Sequence, residues 1–92
     1  MKLELTQVLK TLDGKPLKDA DSDLTVGKVI STILLNDAKA KDKMKNFVLA
    51  QKFHTEKTLE IDEADLKLVK ESIESSAFTP LVTGQLLLLL QK

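Results

Sequence analysis

The chain has 92 residues and a mass of 10.2 kDa, enough for one domain, residues 1–92, with a single hydrophobic core. At 42% hydrophobic and 30% charged it has the composition of a globular protein, and its 14 basic and 14 acidic side chains cancel to a formal net charge of zero. That balance excludes a global field steering the chain onto nucleic acid or anionic lipid, and the absence of Cys excludes disulfides and thiolate metal sites.

The first segment carries two signals. Leu3 and Leu5 alternate with charged residues, as in a strand, while Leu5, Val8, Leu9 and Leu12 follow helical spacing. The reading is a short extended piece at 2–5 and a short helix at 6–12, with Thr6 as its cap. Asp13-Gly14 then makes a turn, and Pro16 keeps Lys15 extended. The next element is a helix with the apolar stripe Val26, Val29, Ile30, Ile33 and Leu34. Thr25 is its N-cap, Leu24 and Val29 are placed as a hydrophobic staple, and Asn36 marks its end. Gly27 in its first turn allows another backbone to cross closely.

A lysine-rich segment, Lys39 to Lys45, leads into a third helix over 42–53, expected to bury Met44, Phe47, Val48 and Phe53. Thr58 to Ile61 alternates like a short strand. Asp62 caps a fourth helix with the stripe Leu66, Val69 and Ile73, which Ser75-Ser76 ends. Thr79-Pro80 starts the last helix, Thr79 as cap and Pro80 at the first helical position. In it Leu86, Leu87, Leu88, Leu89 and Leu90 advance by about 100° each and so face every direction. The core of a domain this size covers only part of that circumference. The expectation is a homo-oligomer, most simply a two-fold dimer, with leucines of this run in the interface.

The residues that could carry chemistry form no complete set. Asp19, Asp21 and Asp23 open like a calcium loop, but Leu24 and Ile30 stand where that loop needs Gly and Glu. His54 is the single histidine, and no Ser sits in a glycine-flanked elbow. The carboxylates Glu60, Asp62, Glu63 and Asp65 gather at a helix N-terminus, where structure alone favours them. Gly14, Gly27 and Gly84 are too scattered for a phosphate loop. Charge is nonetheless segregated: residues 37–57 carry net +3 and residues 58–78 net −4. All 14 basic residues are Lys, so the guanidinium fork that reads guanine is missing. The basic and acidic helices are therefore read as complementing each other, within or between subunits. A nucleic-acid-binding regulator using Lys39 to Lys45 is the alternative.

Four stretches taken together resemble small proteins of tailed bacteriophages and prophages. They are Leu12-Asp13-Gly14-Lys15-Pro16-Leu17, Leu24-Thr25-Val26-Gly27, the run around Leu49-Ala50-Gln51-Lys52, and Phe78-Thr79-Pro80-Leu81-Val82-Thr83-Gly84-Gln85. The resemblance spans nearly the whole chain and brings no catalytic residues with it. It implies a non-enzymatic accessory or assembly role in the cytoplasm of a bacterial host, with a phage or host protein as partner.

The fold expected is mainly α: four to five short helices, with short extended or β segments at the N-terminus and near 58–61. No enzyme activity, cofactor or metal is expected. Met1-Lys2 leads into Leu3-Glu4-Leu5 and not into an apolar run, and Leu86–Leu90 is far shorter than the roughly 18 residues a membrane span needs. A soluble cytoplasmic protein without membrane contact is the corresponding expectation.

Overall fold

A computed structural model describes residues 1–19 and 22–91, and of Asp19 the backbone only. Among these residues the protein is mainly α. Its elements in chain order are β1 (Lys2–Glu4), β2 (Lys18–Asp19), β3 (Ser22–Asp23), α1 (Val26–Leu35), α2 (Lys43–Thr55), β4 (Thr58–Glu60), α3 (Glu63–Glu74) and α4 (Pro80–Leu89). β1 pairs antiparallel with β4, Leu3 opposite Leu59, and β2 pairs antiparallel with β3. No helix is long and apolar enough to cross a membrane.

Three of the four helix starts are capped by a side chain, at Thr25 and Asp62 as expected and at Asp42 in addition. The Thr25 hydroxyl accepts from the Lys28 N–H at 3.3 Å, Asp42 from Lys45 at 3.0 Å, and Asp62 from Asp65 at 2.8 Å. The fourth departs from expectation. Thr79 makes no side-chain cap bond; its carbonyl instead accepts from the Thr83 hydroxyl, and Pro80 at the first turn sets the entry.

The helix expected at 6–12 does not form. The main chain there is claimed by distant partners: Val26 N–H donates to Gln7 C=O, Leu9 N–H to Leu24 C=O, and Leu5 N–H to Lys57 C=O. An intrahelical bond from any of these groups would forfeit a long-range one. Leu9, Leu17 and Leu24 close a ring of main-chain bonds, each donating to the next at 2.8 Å, so three passes of chain are tied at one point. Leu5 and Leu9 are buried, while Leu12 of the same nominal stripe is almost wholly exposed. The Asp13-Gly14 turn does form, with Gly14 at φ 88°, a left-handed conformation that suits glycine.

The core gathers Leu3, Leu5 and Leu9 from the N-terminal segment, Val29, Ile30, Ile33 and Leu34 from α1, Phe53 from α2, and Val69 and Ile73 from α3. Burying each such side chain contributes roughly 1.5–3 kcal/mol. α1 is the hub, and its approach to α2 is close. A Cβ on Gly27 would lie 2.5 Å from the Phe53 carbonyl oxygen and 3.0 Å from Leu5 Cβ. One turn on, the buried Ser31 hydroxyl donates to the Ala50 carbonyl at 2.9 Å; further along, the buried Asn46 amide donates to Leu34 at 3.2 Å.

Those contacts set which side of α2 faces inward. Its buried stripe is Asn46, Leu49, Ala50 and Phe53, at i, i+3, i+4 and i+7. The expected burial of Met44, Phe47 and Val48 is therefore wrong except for Phe53; those three face outward. A fully apolar stripe was available, but only the other phase brings Asn46 and Ala50 against α1. α4 is held to the N-terminal segment by Gln85, whose amide donates to Lys10 C=O at 2.7 Å and accepts from Lys10 N–H at 2.9 Å.

Two outcomes check this packing by urea denaturation. Helix propensity alone favours Gly27→Ala by about 1 kcal/mol, but the added methyl group meets main chain, and the variant is expected to lose about 1–3 kcal/mol net. Thr79→Ala should change stability by less than about 0.5 kcal/mol, whereas Gln85→Ala should lose about 1–2 kcal/mol with its two main-chain bonds.

Candidate interaction surface

The concave regions are shallow, and their polar groups are already committed. A cleft of about 370 Å³ lies between α1, α3 and the entry to α4, lined in part by Thr32, Asp37, Ser72, Ser75 and Phe78. Each of its hydroxyls donates within the protein: Thr32 to Lys28 C=O, Ser75 to Ser72 C=O, Ser76 to Ile73 C=O, and Ser72 to Asp37 Oδ2 at 2.7 Å. Ser72 is buried. Its bond to Asp37 pins α3 to the turn after α1. His54 lies exposed in the last turn of α2. It borders none of the clefts described in this subsection.

The carboxylates at 60–65 serve the helix start. Asp62 caps α3, and Asp65 pairs with Lys45 at 2.7 Å, joining α3 to α2. Hydrogen bonding to Asp65, and then its charge, hold the Lys45 ammonium above the usual lysine range. The complementarity expected between the basic and acidic helices is thus realised inside the chain at this pair. The same pair removes Lys45 from any continuous basic track. Of the aspartates that resemble a calcium loop, Asp21 and the Asp19 side chain lie outside the described residues.

The five-leucine run divides. Leu86 and Leu90 are fully buried in the chain's own core, one helical turn apart and in line with Val82. Leu87 and Leu89 are half-buried against that core. Leu88 alone points out, with 68% of its surface exposed. The expected interface set Leu86 to Leu90 is corrected at Leu86 and Leu90, which face inward, and Leu88 is the leucine of the run left exposed.

The larger apolar surface lies on α2. Met44, Phe47 and Val48, at i, i+3 and i+4, expose 70%, 48% and 40% of their surface, and Leu35 at the end of α1 exposes 57%. Leu35 and Phe47 both line a cleft of about 490 Å³, together with Asp37, Ala38, Ala40 and Lys43. The sequence holds the signal for this surface, because these residues form an apolar stripe. What it hides is that a second stripe on the same helix takes the core. No family model matches the chain, and no curated protein or solved structure is significantly similar to it.

Lysine substitutions sort the leucines. Leu86→Lys buries an unpaired charge and should unfold the chain. Leu88→Lys should stay folded, with a denaturation midpoint close to that of the parent by circular dichroism.

Proposed function

We propose that this is a non-enzymatic interaction protein of the phage accessory or assembly type, acting by binding another protein through the outward face of α2. The observation that carries the reading is the apolar row Met44, Phe47 and Val48 with Leu35 beside it, left uncovered by a fold that buries a different stripe of the same helix. Exposed apolar residues scattered singly are common, whereas a contiguous row at helical spacing is what a helix-binding groove presents. The stretches that resemble phage proteins support the setting. The commitment of the hydroxyls and carboxylates to internal bonds accords with a binding role. Self-association is a narrower form of the same proposal, in which a second copy covers this row or Leu88.

A photo-crosslinking amino acid at position 47, introduced into cells that carry the gene in its native setting, tests the proposal. The expected result is one dominant cross-linked product, absent when the probe stands at exposed Lys67 on α3. A product of twice the chain mass identifies self-association; any other defined mass identifies a different partner. Equal, diffuse labelling from both positions would overturn the reading.

A further inference from the structure

The charge around the α2 row restricts what can cover it. Lys43 borders the cleft, Lys52 follows two turns later on α2, and Lys39 and Lys41 stand in the turn that leads into the helix. Among the described residues none of these four lies within ion-pair distance of an acid. The acids nearby are engaged: Asp37 accepts from the Ser72 hydroxyl and the Lys39 N–H, and Asp42 caps α2. The row is therefore an apolar strip whose rim carries more lysines than acids, Lys39, Lys41, Lys43 and Lys52 against Asp37 and Asp42.

A second copy fits this strip poorly. A two-fold pair formed through this face brings Lys43 and Lys52 of both copies to the margins of one apolar contact. That gathers like charge around the contact and supplies no additional acid to meet it. A flat bilayer surface fits poorly too, because Leu35 and Phe47 face a cleft that an inserted side chain can fill and a plane cannot. Resting on the interaction reading above, we propose that this face docks an acidic amphipathic helix of another protein. Its apolar side chains, at helical spacing, would lie along Met44, Phe47 and Val48, one of them entering the cleft beside Leu35. Its flanking Asp or Glu side chains would meet Lys39, Lys43 and Lys52.

The test uses fluorescence anisotropy with the full chain and a small panel of synthetic helical peptides of about 16 residues, with Leu at i, i+3, i+4 and i+7 and Glu or Asp elsewhere. Saturable binding that weakens with added salt is expected, together with at least about a tenfold loss of affinity in Phe47→Lys and in the double variant Lys43→Glu, Lys52→Glu. Met44→Lys provides a second apolar variant at a position so exposed that folding is unaffected, and circular dichroism checks each chain. The matching peptides with Lys in place of the acids should not bind. Equal binding of acidic and basic peptides, or acidic-peptide binding untouched by these variants, would overturn the proposal. So would binding of phosphatidylglycerol-containing vesicles or of a single-stranded oligonucleotide through the same residues while the acidic peptides stay free. Failure of the peptides alongside a defined cross-link from position 47 would refute the partner chemistry alone; failure of both would refute the interaction reading as well.

Discussion

The approach of α1 to α2 at Gly27 is the constraint on which the rest of the structure depends. Because Gly27 has no side chain, the Phe53 carbonyl and the Leu5 main chain come in against the first turn of α1. Ser31 and Ala50 keep the two helices close further along, and the Ser31 and Asn46 side chains cap carbonyls of the opposite helix. A buried hydroxyl and a buried amide are tolerated there because each has its acceptor; losing either acceptor would leave an unsatisfied group at a cost of about 1–3 kcal/mol. The pair of bonds therefore fixes the rotation of α2 about its own axis. The exposure of Met44, Phe47 and Val48 follows from that rotation.

The remaining elements brace this helix pair from two sides. On one side, the N-terminal segment runs past Gly27, pairs with β4, and is tied to the chain entering α1 through Leu9, Leu17 and Leu24. On the other, Val69 and Ile73 of α3 reach α1, and Ser72 fastens the turn at Asp37. α4 contributes Val82, Leu86 and Leu90 to the core, and Gln85 imitates a strand partner for Lys10, bonding both its N–H and its C=O. The outward side of α2 is the one large apolar face that this bracing leaves open among the described residues.

How much of this was legible in the sequence depended on whether the deciding contacts were local. The caps at Thr25 and Asp62, the strand at 58–60, the turn at Gly14 and the limits of α1 all rest on neighbours within a few residues, and sequence reasoning found them. The segment 6–12 was misread because its helical stripe is matched in strength by main-chain bonds to residues far away in the chain, which no local pattern displays. α2 was placed correctly and turned the wrong way. A stripe containing Asn46 looks polar until Leu34 is known to be waiting for its amide. Thr79 has the identity of a cap, but its hydroxyl does not reach the helix. The leucine run was rightly seen to face all round its helix, yet the half-burial of Leu87 and Leu89 shows that the core reaches further around α4 than size alone suggests. The candidate surface was thus visible as a set of residues and invisible as a surface.

The pairing of β1 with β4 bears on the order in which the molecule comes together. The α1–α2 contact is between neighbours in the chain and requires only a short connection to close, so it forms at low entropic cost. The first strand cannot complete its ladder until Thr58–Glu60 is in place, and the Gln85 bonds to Lys10 join residues 75 positions apart. Contacts of such separation slow folding, since the loop must close before they are made. The segment carrying β1 is thus synthesised well before its partners and is among the last parts to be secured. Until then Leu3 and Leu5 sit on an unpaired edge, where the charged neighbours Lys2 and Glu4 discourage pairing with another chain.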